Sequence, residues 1–417
     1  MTIESVQDRI RLIRRLMDRC SSYQINAIPL PAGRRSRPLS ATEVAPLWRE
    51  LAQEQARGGF PGHYLNLFLH IPFCRARCTF CMYDSRIARD RSEISGTMDA
   101  MQRELAHYAP ALEGVRLQNL YLGGGTPTLL EEDQLRALLG TVFEGYQFAA
   151  DGSRVIETNP DNVTPEKAAL LASYGFNKVS VGVQSLDPTV LERHGRGHQT
   201  RAQVRAAVER LRAAGTGQVN CDLVMGLAGE TAETFVGGVR ELLSFGPDTV
   251  MLSKLQPAPP YLERHFDGRH DQFVAHYDTS FRQALDKVLT VAEECGYTTD
   301  NPYANELGWR LWKRGFEPPY DISRPYYCTG GELPSSTLGV GCFARSRIFG
   351  RLTYETSGQP STFVPQEPRY RGVDIDLRYE QARWVINQLS RTRELVRATF
   401  RSHFGADPEQ AFPQVLE

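Results

Sequence analysis

No apolar run in this 417-residue chain approaches the roughly 18–20 residues that cross a bilayer, and no signal-peptide pattern opens it. A membrane-spanning or secreted protein is therefore not expected. Charge of one sign is also missing, since 48 Lys and Arg face 49 Asp and Glu. A balance that close gives no field to draw in nucleic acid or an anionic membrane. Arg34, Arg35 and Arg37 read as three solvated charges in a linker. Cysteine is scarce. Of 8 cysteines, Cys20, Cys221, Cys295, Cys328 and Cys342 stand singly and read as small buried hydrophobes. A chain long enough to build a sizeable core needs no disulfide framework.

The other three cysteines are concentrated in one loop, His70-Ile71-Pro72-Phe73-Cys74-Arg75-Ala76-Arg77-Cys78-Thr79-Phe80-Cys81, directly after the apolar run Leu65–Ile71. A structural zinc site closes with four ligands, usually in pairs. Here no fourth cysteine and no histidine pair accompanies the triplet, and His194 and His198 lie over a hundred residues away. Three thiolates with no fourth fit a cubane iron–sulfur cluster that leaves one iron open. Such a cluster, without targeting signals, suggests the cytoplasm.

Residues 3–19 carry a helical apolar period, and Ala41–Arg57 carries another. From Leu65 to about Leu255 the chain alternates between strand and helix. The strand candidates are Leu65–Ile71, Leu117–Leu122, Arg154–Glu157, Lys178–Val183, Val219–Val224 and Thr249–Lys254. Helical patterns lie between them at Ser92–Tyr108, Glu131–Phe143, Pro165–Tyr174, Arg201–Ala214 and Ala232–Ser244. Parallel neighbours need long crossovers, so the expected class is α/β with a partial (β/α)6, TIM-like barrel. Prolines 257, 259 and 260 break the pattern. A long helix near Phe273–Cys295, a glycine-spaced apolar segment Thr337–Phe349 and a helix over Leu377–Phe404 are expected beyond them. The division expected is a helical N-terminal extension (1–60), the barrel (61–260) and a smaller α+β domain (261–417) covering the barrel mouth.

In parallel α/β barrels, functional groups gather at the carboxyl ends of the strands. There this chain offers the cysteine loop, Gly123-Gly124-Gly125-Thr126, Glu157, Gln184, Asp222, and Lys254 with Gln256. A glycine run lets backbone approach a ligand closely. The run is neither a G-x-G-x-x-G fingerprint nor a P-loop. Together with Arg196, which suits a bidentate carboxylate pair, the set fits a ligand with an amino acid head, a ribose and an adenine.

The strings around Cys74, Cys78 and Cys81, Tyr-Leu-Gly-Gly-Gly-Thr-Pro-Thr128, Glu-Thr-Asn-Pro160, Val-Ser-Val-Gly-Val-Gln-Ser-Leu186, Arg196 and Cys-Asp-Leu-Val-Met-Gly-Leu227 resemble the radical S-adenosylmethionine (SAM) superfamily, in its oxygen-independent coproporphyrinogen III oxidase branch. The likeness is strong over about residues 64–260. It implies a 4Fe–4S cluster on the three cysteines, SAM chelated by the fourth iron, and a 5′-deoxyadenosyl radical. It also implies an electron donor such as flavodoxin or ferredoxin, and two SAM molecules side by side. By the same resemblance Gly124, Gly125, Thr126, Glu157, Arg196 and Asp222 contact the first SAM, Gln184 lies between the two, and Phe80 packs near the adenine. Two positions depart from the oxidase pattern: Phe68 replaces an aromatic hydroxyl, and Tyr83 replaces a cysteine. These departures, and the lack of a basic surface for a porphyrinogen, turn the expectation to the class C radical methyltransferases. Those place a methyl or methylene on an sp² carbon of a heteroaromatic natural product, a small molecule or modified peptide. An oxidative decarboxylase and a haem-handling chaperone of the same fold are the alternatives. Tyr83, His70 and Glu306 are the candidate proton acceptors.

Overall fold

The computed structural model describes residues 36–413 except 61, 283, 300–307, 325–332, 357–361 and 392–394. The expected helix over 3–19, Arg34, Arg35, Cys20, Cys328 and Glu306 lie outside the described residues. Six parallel strands run in chain order: β1 (Tyr64–Ile71), β2 (Asn119–Gly124), β3 (Arg154–Thr158), β4 (Lys178–Gln184), β5 (Gln218–Met225) and β6 (Thr249–Lys254). Each follows the last through a helical crossover: Arg91–Tyr108, Glu132–Gly145, Pro165–Ser173, Arg201–Ala214 and Ala232–Ser244. This is the partial (β/α)6 barrel expected. Along β4, Val179, Val181 and Val183 are fully buried, and Lys178, Ser180, Gly182 and Gln184 alternate onto the opposite, inner face. The outer valines meet helices such as Arg201–Ala214, whose Val204, Ala207, Val208 and Leu211 are fully buried. Each large apolar side chain so covered contributes roughly 1.5–3 kcal/mol. Local signals set that helix's ends. Thr200 and Gln203 form a capping box, and Gly215 at φ 76° closes it in the left-handed region.

The sheet extends beyond the barrel strands to thirteen. Strand Ser335–Val340 lies parallel beside β1, with Leu338 opposite Leu67. Antiparallel strands Arg345–Ile348, Leu352–Thr356 and Pro368–Asp374 follow, and the last pairs with Arg37–Ser40. On the other side, Gly308–Lys313 pairs antiparallel with β6. The expected 1–60 extension thus contributes a strand as well as the helix Ala41–Ala56, and one sheet and one apolar core run from Leu39 to Tyr370. A second core, around Trp384, Phe400 and Phe412, belongs to the C-terminal helices. The long helix expected near Phe273–Cys295 is in fact broken. His270–Tyr277 runs into a π turn at Asp278–Arg282 before Leu285–Glu294 resumes. Among the described residues, no helix is long and apolar enough to cross a membrane.

Candidate active site

The cysteine loop leaves β1 and folds back on itself. Cys74 N donates to Arg86 O at 2.9 Å, and Arg86 N to Pro72 O at 2.8 Å. Cys74, Cys78 and Cys81 are free, partly exposed, and close enough that each thiol's charge bears on its neighbours. Burial pushes the Cys74 and Cys81 thiols up, so these two await a cation to ionise them. The glycine run ending β2 locks under this loop. Gly125 N donates to Ile71 O and Thr126 N to Phe73 O, both at 2.7 Å. A Cβ on Gly125 would sit 2.4 Å from Phe73 O, and one on Gly124 (φ 105°) would sit 2.6 Å from the His70 ring. Glycine is required there because backbone and ring approach so closely. Thr126 Oγ1 donates to Cys74 Sγ at 3.6 Å and accepts from Asn159 Nδ2 at 3.0 Å.

Deeper in the lumen, Glu157 Oε1 accepts from Tyr121 Oη at 2.6 Å. Burial, reinforced by the Asp222 charge, pushes the Glu157 carboxyl up to about 7 against the Tyr121 bond. Asp222 accepts from Ser180 Oγ at 2.7 Å and from Asn220 Nδ2 at 2.8 Å, and burial raises its pKa as well. Lys178, on the same inner face, is lowered by burial and by Arg310 to about 8. Gln184 ends β4 at φ 68°, beside a bulge, and its amide folds back over Gly182. A non-glycine residue in this region costs of order 1–3 kcal/mol and persists where the surroundings over-determine it.

Arg196 is buried, and its guanidinium is mostly committed. Gln199 Oε1 accepts from Nε and Nη2 at 3.3 and 2.9 Å, and Gly182 O accepts from Nη2 at 2.6 Å. Nη1 lies 3.5 Å from Cys78 Sγ. The edge that would grip a carboxylate with two bonds is therefore taken by Gln199, and Arg196 offers the remaining nitrogen at the thiol. His194, distant in sequence, sits on the cysteine loop. Its Nδ1 lies 2.7 Å from Thr79 Oγ1 and its Nε2 donates to Ala228 O at 3.2 Å. With both nitrogens occupied and burial lowering its pKa to about 4, it is a neutral brace. Phe80 packs edge-on against it at 5.8 Å. Lys254, at the end of β6, lies over the Tyr277 ring. Tyr121, Asn159, Lys178 and Gln199 were not singled out in the sequence reading, although Tyr121 and Asn159 lie inside its strings.

Next to Gln184, Ser185 Oγ donates to Glu230 Oε1 at 2.6 Å, while Glu230 Oε2 is buried without a partner. Burial raises this carboxyl to about 8, so the folded protein holds a proton that the unfolded chain releases near the ordinary pKa of about 4.5. Between those values the unfolded state binds fewer protons, and stability falls as pH rises. Glu230→Gln should remove that slope and melt above the wild type at pH 8, but not below pH 4.5. Parallel melting curves for the two proteins would contradict this.

The sequence profile of the Radical SAM superfamily matches residues 68–242. That segment is similar to radical SAM domains. Oxygen-independent coproporphyrinogen III oxidase of Escherichia coli is 32% identical over 209 residues, 50% of this chain and 46% of the relative. The haem chaperone HemW of Mycobacterium tuberculosis is 33% identical over 192 residues, 46% and 49% of the two chains. The chain spans about half the length of these curated relatives. The crystal structure of the Escherichia coli oxidase superposes with a TM-score of 0.69 at 23% identity, covering 88% of this chain and 83% of that one, which shows a shared fold. These relatives overturn the expectation of a C-methyltransferase. The departures at Phe68 and Tyr83 leave the overall likeness on the oxidase and chaperone side.

Radical SAM proteins use a 4Fe–4S cluster and SAM, and the residues of the matching segment fit both. Its three thiols neighbour one another at the barrel mouth. Among the described residues, no three His, Cys, Asp or Glu are grouped to hold a single ion, in keeping with one thiolate per iron. The close-packed glycines bring the main chain up against the cysteine loop, with the Gly125 and Thr126 N–H groups given to Ile71 O and Phe73 O.

Proposed function

We propose that this chain is a radical SAM enzyme that acts on a carboxylate-bearing tetrapyrrole, as an oxidative decarboxylase of the coproporphyrinogen branch. The observation that carries it is the convergence of Cys74, Cys78 and Cys81 with Gly124–Thr126, Glu157, Arg196 and Asp222 on one barrel rim. Cys74, Cys78 and Cys81 would hold the cluster, which when bound supplies the electron for reductive cleavage of SAM. Arg196 places a cation 3.5 Å from Cys78 Sγ, beside the sulfur that would hold the cluster. Gly124, Gly125 and Thr126 would bind the amino acid head of SAM. Glu157 and Asp222 would accept from its ammonium or ribose hydroxyls. The strained Gln184 would stand between the first SAM and a second, and Phe80 would border the adenine. The walls exclude water around the radical, and positioning is the main catalytic lever. His70 donates Nε2–H to Asp84 O at 2.9 Å, which leaves Nδ1 as its acceptor. Tyr83, with about half its surface exposed at the mouth, keeps its hydroxyl proton and so offers a hydrogen-bond partner rather than a base.

Anaerobic protein with coproporphyrinogen III, SAM and a reductant should yield 5′-deoxyadenosine, methionine and carbon dioxide. SAM cleavage without carbon dioxide from any tetrapyrrole would remove this reading. The haem chaperone HemW of Mycobacterium tuberculosis, as similar in sequence as the oxidase, supports a second one, a haem chaperone that keeps the fold. Tight haem binding without turnover would support it.

Glu157 gives the proposal a pH signature. Its carboxyl titrates near 7, and only the ionised form balances the positive SAM head. Affinity for SAM should therefore fall about tenfold between pH 8 and pH 6, measured by anaerobic calorimetry. Glu157→Gln should bind weakly with a flat profile. A flat wild-type profile would remove Glu157 from the SAM site.

A further inference from the structure

Beside the cysteine loop, the turn between strands Ser335–Val340 and Arg345–Ile348 carries Phe343 at φ 64°, with 39% of its surface exposed. Large apolar side chains in the left-handed region are strained. They persist where the surroundings impose the conformation, often where a ligand is bound. The surroundings here do impose it. Gly341 (φ 100°) approaches so closely that a Cβ would lie 2.5 Å from His70 O. Its N–H donates to the buried Glu104 Oε2 at 3.2 Å, and Glu104 is held in turn by Arg369 Nη2 at 3.2 Å and Tyr370 Oη at 2.7 Å. Ala344 N closes the turn on Gly341 O at 3.2 Å.

A fully buried network thus displays one exposed aromatic ring, and the ring heads a ladder. Phe343 stands edge-on to His70 at 6.1 Å, His70 to Phe68 at 5.8 Å, and Phe68 is 6.1 Å from Tyr121, whose hydroxyl holds Glu157. The wall therefore runs from the mouth down to the carboxylate at the candidate SAM site. Next in sequence but one, Arg345 has a half-exposed side chain whose nearest carboxylate, Glu355, is 3.8 Å away.

We infer that Phe343 is a substrate-contact residue of the barrel mouth. It packs against the face of one pyrrole ring of the tetrapyrrole, and Arg345 beside it meets a carboxylate that the macrocycle carries. The inference rests on the proposed function and deepens it by naming the surface that sorts substrates. A flat apolar face matches an aromatic edge and ring, and a guanidinium is the natural partner for a propionate.

The test titrates coproporphyrinogen III, kept reduced, into anaerobic full-length protein carrying its cluster by calorimetry, with melting temperature recorded alongside. Phe343→Gly should bind about tenfold more weakly, yet melt at or above the wild type, because glycine is at ease at φ 64°. Phe343→Tyr should bind like the wild type, and Arg345→Gln should lose the salt dependence of binding. Wild-type affinity in Phe343→Gly would overturn the inference alone. So would a lower melting temperature with binding unchanged, since the ring would then be structural. Wild-type protein that leaves coproporphyrinogen III free in solution would take down the tetrapyrrole reading and this ligand with it.

Discussion

Cys78→Ala should yield a folded protein with no cluster absorbance and no SAM cleavage above background. The alanine deletes the sulfur that Arg196 Nη1 approaches at 3.5 Å, as well as one of only three thiols grouped in the loop. Two thiolates cannot hold a cubane that already leaves one iron open. The fold should survive, because Cys78 is partly exposed at the end of a loop, outside the apolar core. Cys221→Ala makes the control, being fully buried in β5 and remote from iron. It should keep the absorbance. Iron content, the visible spectrum and 5′-deoxyadenosine release check both variants, and normal turnover by Cys78→Ala would be incompatible with the site described.

Arg369→Ala should be the most destabilising single change near the mouth, at about 3–5 kcal/mol. Glu104 has no exposed surface and depends on Arg369, Tyr370 and the Gly341 N–H for compensation. Deleting the guanidinium strands a carboxylate in the core. Removing both charges, as Glu104→Gln with Arg369→Met, should recover part of the loss, because a buried pair is costly to break and far less costly to replace. Denaturant midpoints measure both variants. A loss below about 1 kcal/mol for Arg369→Ala would mean that water or another cation reaches Glu104.

The barrel was legible because its signals are local and repeated. Parallel strands are buried on both faces and read as short apolar runs, so Lys178–Val183 and Thr249–Lys254 were placed within a residue. Helix ends such as Thr200 and Gly215 announce themselves by capping chemistry. The π turn at Asp278–Arg282 left no mark on the helical period, and the four-residue strand Arg37–Ser40 is too short to carry one. Much of the site was readable as positions but not as partnerships. Arg196 was expected to grip a ligand, yet Gln199 already occupies its two-nitrogen edge. His194 looked remote from Thr79 until the fold joined them. Lys178, read only as the start of a strand, is partly buried on the inner face beside Asp222 and Glu157. Side-chain pairings across strands depend on curvature and register, which one-dimensional patterns do not carry. The choice among activities fared worst, because the shared rim is common to chemistries that differ in what sits above it.

The strand Ser335–Val340 beside β1 has a bearing on how the protein comes to be made. Until the C-terminal third of the chain emerges from the ribosome, the β1 edge next to the cysteine loop has bare amides and carbonyls. Iron loading would have to wait for that arrival, and a gene shortened to the segment 68–242 would offer the same sticky edge permanently. Chaperones or inclusion bodies, rather than a smaller working enzyme, would be its fate.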